Sequence, residues 1–250
     1  MKTPSIRGMQ TAFRVRRKTL IVDLGGLRTV LSSAPRAGGV TRARYILNHQ
    51  VAANLMAKGD RDEDVRCADP ARTLSQLALS LGIRDPFVGL MTAVSLADLV
   101  TVREAHDEMW VEGFVTVGTS NAVRAGEPVM LGQRMNSQMQ AGTINLILVT
   151  NARLSASAMV GMVQVATEAK TAVLLQANVK SWTGRSGATG TGTDAVVVVS
   201  GNGPRQRYSG THTVLGELVG RVIGMAVTEG LARYVRWHAQ RTPRSPGKKP

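Results

Sequence analysis

Cys67 is the only cysteine in the chain. One thiol cannot close an internal disulfide, and it excludes cysteine-rich zinc and iron–sulfur sites within a single chain. This usage suits a reducing, cytoplasmic setting. Aromatic residues are scarce too, at 4%, which leaves few stacking platforms for single-stranded nucleic acid. No uninterrupted apolar run approaches the ~20 residues of a membrane span. The N-terminal stretch MKTPSIRGMQTAFRVRRKTL is basic but has no apolar core, so it does not read as a secretory signal. The histidines His49, His106, His212 and His238 stand far apart, with neither H-E-x-x-H nor H-x-x-E-H spacing. No protein-bound metal or other resident cofactor is expected. A dinucleotide fingerprint and a P-loop are likewise missing.

Acidic residues are few: 17 against 31 basic ones, for a formal net charge of +14. Such an excess raises nucleic acid or an anionic membrane as a partner. Much of the charge, however, lies at the ends, in Arg14, Arg16, Arg17 and Lys18 and from Arg233 to Lys249. A solvated basic surface and tail explain it more simply, so neither partner is expected.

What is present is a chain of 250 residues with 43% hydrophobic content, enough for one well-buried domain. Residues 1–10 read as loose, 11–238 as a single domain, and 239–250 as a basic, disordered tail without core material. Thr19–Leu24 and Leu27–Leu31 flank Gly25-Gly26 and predict a β-hairpin. Tyr45–Met56 and Pro70–Leu81 predict helices, with GDRDEDVR (59–66) an exposed loop between them. Phe87–Val94, Leu99–Val102 and Trp110–Val117 predict strands, and Gly118–Gly142 a loop. Thr143–Val149 predicts a buried strand. Ser155 then caps a helix to Leu175 whose apolar face is Met159, Met162, Val163, Ala166, Ala169 and Val173. Ala195–Val199 predicts another strand. A last helix runs from Thr213 to Trp237 with Leu215, Leu218, Val222 and Met225 inward. The fold class is α/β: mixed β-sheet layers packed against helices, with an αββα sandwich as one arrangement.

Four segments place Gly, Thr, Ser or Asn at the edge of an apolar element, where backbone N–H groups can converge on a ligand. They are TVGTSNAVRAGEP (116–128), AGTINLILVTNARLS (141–155), TGRSGATGTGTDAVVVVSG (183–201) and GTHTVLGELVGR (210–221). With MTAVSLADL (91–99) before them, in this order, the chain resembles the adenosylcobinamide amidohydrolase family over roughly residues 19–235. The resemblance implies hydrolysis of the amide joining a corrin propionyl arm to aminopropanol. The products would be adenosylcobyric acid and (R)-1-aminopropan-2-ol. The partner would be the small molecule adenosylcobinamide, with its cobalt arriving as part of the substrate. A homo-oligomer is compatible with the sequence.

The stretch from Gly142 to Leu154, followed by GTGTDAVVVVS, is similar in layout to the β-aminopeptidase and ornithine acetyltransferase group. There a Ser or Thr nucleophile opens a strand, which puts Thr143 in that role and a carboxylate at Asp194. The departures are Asn151, where the group has Asp, and Gly192, where the β-aminopeptidases have Ser. An assisting hydroxyl would then come from Thr191 or Thr193. Proteins of that group cleave themselves before the nucleophile, and for this chain the point is open.

Amide hydrolysis needs a nucleophile or activated water, donors for the oxyanion, and an acid for the leaving amine. The catalytic candidates are Thr143, Asp194 and His212. Asn121 and Asn145 are candidate oxyanion donors, and with Asn48, Ser120, Thr191, Thr193 and Glu217 they form the expected substrate-binding set. Each has a plainer reading: Thr143 as a strand start, Asp194 as a turn cap, His212 as a helix-entry residue. Glu217 reads as the i,i+4 partner of Arg221. Glu168 and Lys170 read as a solvated helix face, and His49 as a satisfied histidine. The rival to an enzyme is a corrinoid-binding or escort protein without catalysis.

Overall fold

The computed structural model describes residues 10–52, 69–128 and 142–241. In chain order the elements are β1 (Ala12–Arg16), β2 (Thr19–Ser32), β3 (Gly39–Gln50), α1 (Pro70–Ser80) and β4 (Phe87–Thr92). Then come β5 (Val100–His106), β6 (Met109–Val117), β7 (Ala122–Val123), β8 (Ile144–Thr150), β9 (Arg153–Leu154) and α2 (Ala156–Gln176). The chain closes with β10 (Gly190–Thr191), β11 (Ala195–Val199), β12 (Arg205–Gln206) and α3 (Val214–Arg241).

Eight strands make one mixed sheet in the order β4-β3-β2-β11-β8-β6-β5, with β1 added on β2. β4 and β8 stand four places apart in this order, which is roughly 19 Å across a flat sheet. Yet Asn145 Nδ2 of β8 donates to Met91 O of β4 at 2.8 Å. The sheet therefore folds over on itself and encloses a core between its two halves. That core holds Leu20, Val22, Ile46, Val88, Leu90, Phe114, Ile147 and Val197. Outside one half, α1 seals Ile21, Leu47, Phe87 and Met91. Outside the other, α2 and α3 cover Val115, Ile144, Leu146, Leu148 and Val198. The layers run helix, sheet, sheet, helix. Because both faces of β8 are covered, all seven of its residues are buried, and the segment reads as a continuous apolar run.

The helix ends follow their caps. Asp69 accepts from Arg72 N ahead of Pro70, and Ser155 accepts from Ala158 N at the head of α2, each satisfying an otherwise orphaned donor. Among the described residues α2 is the one helix long and apolar enough to cross a membrane by length and composition. It is a core helix here, with Met159, Met162 and Ala166 buried.

Several sequence expectations change. Thr19–Leu31 is not a hairpin but one long strand, with an irregularity between Asp23 and Arg28 in its pairing with β3. The hairpin is β1–β2, whose turn residues Arg17 and Lys18 both have positive φ, 48° and 55°. The predicted helix at Tyr45–Met56 is β3 as far as Gln50, and residues 53–56 lie outside those described. On α3 the buried stripe is Leu215, Leu218, Val219, Val222, Ile223, Ala226 and Val227, whereas Met225 is 44% exposed. Gln10, expected to be loose, donates through its N–H to Glu112. The expectations for 1–9, 59–66, 129–141 and the tail beyond 241 fall outside the described residues.

His49 of β3 sets its Nδ1 2.9 Å from Thr19 Oγ1. Burial pushes its pKa below the usual 6.5; a hydrogen bond to the Lys18 backbone opposes this, and the Lys18 charge adds to it. The folded imidazole thus resists a proton that the unfolded chain accepts, so stability falls as pH drops through about 6.5. Replacing His49 with Gln should flatten the acid-side decline in melting temperature between about pH 7 and 5. An unchanged slope would show that the His49 proton plays no part.

Candidate active site

The sequence marks the start of β8, and the fold gathers several chemistry-bearing segments there. β8 and β11 run parallel with Asn145 opposite Ala195, so Thr143 and Asp194 lie side by side at the same strand ends. Three hydrogen bonds bracket the Gly142–Ile144 backbone. Thr193 Oγ1 donates to Gly142 O at 3.1 Å. Thr143 Oγ1 donates to Thr193 O at 2.8 Å. Ile144 N donates to Asp194 Oδ1 at 2.9 Å. On the other side, Gly118 N donates to Thr143 O at 3.0 Å.

Asp194 is saturated. Its Oδ1 also accepts from Thr191 Oγ1 at 2.5 Å. Its Oδ2 accepts from Thr191 N at 3.1 Å and from Lys170 Nζ at 2.5 Å. Lys170 is only 7% exposed, which corrects the solvated face expected for it. Four donors on one carboxylate occupy its lone pairs. Through these bonds Asp194 holds the strand end.

Behind Thr143, facing the core between the two sheet halves, is a buried polar chain. Thr143 Oγ1 lies 3.4 Å from Asn145 Oδ1. Asn145 Nδ2 donates to Asn48 Oδ1 at 3.0 Å as well as to Met91 O. Asn48 Nδ2 donates to Thr116 Oγ1 at 3.3 Å. Asn48 and Asn145 are each 1% exposed, so their amides are spent inside the fold. They orient Thr143 from below, and a substrate could reach them only by displacing these bonds.

The loop after β6 forms the other wall. A Cβ on Gly142 would fall 2.7 Å from Gly118 O and 2.8 Å from both Ser120 N and Asn121 Oδ1. Only glycine lets this loop press so close to the strand. Asn121 Oδ1 is buried there without a hydrogen-bond partner among the described residues. Tyr234, near the end of α3, hydrogen-bonds to Ser120 and Thr119; burial raises its pKa, and those hydrogen bonds partly offset the rise. At the far end of this loop, Glu127 accepts from Ser181 Oγ at 2.8 Å, Thr183 Oγ1 at 2.9 Å and Arg124 N at 3.1 Å. These bonds, the Arg124 backbone foremost, hold its carboxyl below the usual range, and they tie the 118–128 loop to residues 181–183.

His212 and Glu217 are elsewhere. Ser209 Oγ donates to Ala158 O in the first turn of α2, and Gly216 N donates to Thr213 Oγ1 where α3 begins. That places the GTHT segment by the end of β8 at Thr150, roughly 20 Å along the strand from Thr143. His212 is exposed. Glu217 pairs with Arg221 at 2.8 Å, as its spacing suggested. Neither is brought to Thr143. A cavity of about 460 Å³ opens at the Thr150 end as well, lined by Asp23, Arg28, Trp110, Asn151 and Ser200 among others. Several of its polar groups are already paired: Asn151 accepts from Trp110 N and donates to Glu108 O. The cavity thus stands at the opposite strand end from the cluster at Thr143. The structure adds Lys170, Tyr234 and Glu127 to the residues singled out from sequence. None of the three carried a local signal, since each acts through a partner distant in sequence. No group of three or more His, Cys, Asp or Glu able to hold a metal occurs among the described residues.

Comparison with known proteins agrees with the resemblance seen in the sequence. A protein of Methanocaldococcus jannaschii described as uncharacterized is 30% identical over 231 residues, covering 86% of each chain. An adenosylcobinamide amidohydrolase of Methanosarcina mazei is 29% identical over 231 residues, covering 88% of this chain and 96% of its own. Among solved structures, a Pyrococcus horikoshii protein aligns at TM-score 0.40 and 12% identity over 91% of this chain and 82% of its own. A Burkholderia β-aminopeptidase aligns at TM-score 0.38 and 11% identity over 88% and 79%. These two likenesses are too distant to carry an argument about the site. The family model for adenosylcobinamide amidohydrolase matches residues 3–239, and the chain belongs to that family.

Proposed function

We propose that the protein hydrolyses adenosylcobinamide in the cytoplasm, as a step in cobalamin precursor salvage. Water is added across the amide of the propionyl arm, giving adenosylcobyric acid and (R)-1-aminopropan-2-ol. The observation that carries this reading is the family match across residues 3–239. The hydrogen-bonded enclosure of Thr143 supports the choice of site.

In this reading the Thr143 hydroxyl attacks the amide carbon, the C–N bond breaks as the amine leaves with the hydroxyl's proton, and water then hydrolyses the Thr143 ester to give the acid. Ser120 N–H, held against Gly142, supplies one donor for the oxyanion, and the amide nitrogen of Asn121 supplies a second. Thr193 holds the Thr143 hydroxyl and Gly142 O, and Tyr234 braces the Thr119–Ser120 turn. Asp194 fixes geometry. The proton on Thr143 needs a base, and His212 is at the wrong end of the sheet to take it. A free α-amino group on Thr143, produced by cleavage after Gly142, would serve. Cobalt enters with the substrate, and no resident metal or cofactor is required.

Chromatography of adenosylcobinamide incubated with the full chain tests the proposal. Conversion to adenosylcobyric acid with release of one equivalent of amine is the expected result. Substrate that binds tightly but is recovered intact would instead favour a corrinoid escort protein.

A further inference from the structure

We infer that Lys170 is a positioning residue for the reacting end of β8, acting through Asp194; this rests on Thr143 being the group that reacts. A buried ammonium is expensive unless it is paired, and a well-packed apolar residue at such a position often gives equal or greater stability. Lys170 lies on α2 with 7% exposure, among buried Ala166 and Leu174. Its one ion pair among the described residues is with Asp194, at 2.5 Å. What that pair achieves is local.

The Lys170 ammonium aims the Asp194 carboxylate inward, although the side chain keeps 13% exposure. Fixed in this way, Asp194 takes Ile144 N on one oxygen and Thr191 N on the other. The neighbouring Thr193 then sits where its carbonyl receives the Thr143 hydroxyl and its own hydroxyl reaches Gly142 O. Gly142, Thr143 and Ile144 are thus all set by residues 193 and 194, which α2 locks in place through Lys170. Thr143 Oγ1 faces the core between the sheet halves, with Asn145. Lys170 stands on the helix side of β8, so its influence reaches the hydroxyl only through the backbone.

The experiment compares Lys170→Met with the neutral pair Lys170→Met/Asp194→Asn in the full chain, following adenosylcobinamide cleavage and melting temperature. Positioning predicts a kcat lower by about 10- to 100-fold, the size a misplacement near 1 Å produces, with KM changed by no more than about threefold. The neutral pair carries no unpaired buried charge. It therefore keeps the test decisive if Lys170→Met does not fold, and the same loss of kcat is expected in it. Amide exchange adds a readout that overall stability does not move: Ile144 N–H should exchange faster in the variant, while Ile147 and Leu148 stay protected. A kcat within about twofold of wild type in the folded variants, or exchange rising uniformly along β8, would overturn the inference. Thr143→Ala is run in parallel. Cleavage by Thr143→Ala near the wild-type rate removes the Thr143 reading itself; an inactive Thr143→Ala beside a fully active Lys170 variant removes only the role of Lys170.

Discussion

Thr143→Ala should abolish cleavage of adenosylcobinamide while the corrinoid still binds. The hydroxyl is a single group at a strand end that many other bonds hold, so its loss removes bond-making without dismantling the wall around it. Thr143 is 1% exposed, and deleting its hydroxyl and methyl costs on the order of 1–2 kcal/mol. The polar chain beneath tolerates the change, because Asn145 keeps its bonds to Asn48 and Met91. Thr143→Ser should retain part of the turnover, since the attacking oxygen remains. Mass spectrometry of the purified wild type addresses the base. Two fragments meeting between Gly142 and Thr143 would supply a free amino group as the base. An intact, active chain would require a side-chain base instead. Turnover by Thr143→Ala close to wild type would dismiss the nucleophile altogether and leave direct attack by water.

Gly216→Ala should be the most damaging single-methyl change on α3. A Cβ there would fall 2.1 Å from Gly210 O and 2.7 Å from Ser209 O. Both are backbone atoms, so no side chain can swing away. Ser209 in turn is pinned to α2 through Ala158 O at 2.7 Å, and the added methyl would wedge the two helices apart. Such overpacking costs about 1–3 kcal/mol, which is roughly a 2–12 °C drop in Tm for a domain of this size. Gly220→Ala on the same helix is the control. Among the described residues nothing beyond its own helix backbone lies within 4 Å of its would-be Cβ, and alanine is the better helix former by about 1 kcal/mol. Thermal melts should separate the two variants clearly. Equal melting temperatures would mean that the 209–210 backbone yields at no cost. This prediction also gives the GTHTVLG segment a structural purpose: it seats the start of α3 against α2.

By itself the sequence determined the elements whose signals are local. The apolar density of β8 and β11, the Ser155 cap and the Pro70 start mark elements that every packing of this chain has to respect. The ordered motifs also determined the family. Local pattern ran out at Tyr45–Gln50. Ile46 and Asn48 face one core and Leu47 another, so a segment buried on both sides shows neither a clean period of two nor a true helical stripe. Which end of the sheet each motif occupies was settled only in three dimensions. GTHT and Gly142-Thr143 look equally catalytic as strings, but α2 returns antiparallel to β8 and leaves them at opposite ends. The same holds for Lys170. As one letter in ATEAKTA it has the charge of a solvated face, because its partner lies 24 residues further along the chain. Only the packing of α2 against the β8–β11 pair brings that cation to Asp194, and burial then makes the contact matter.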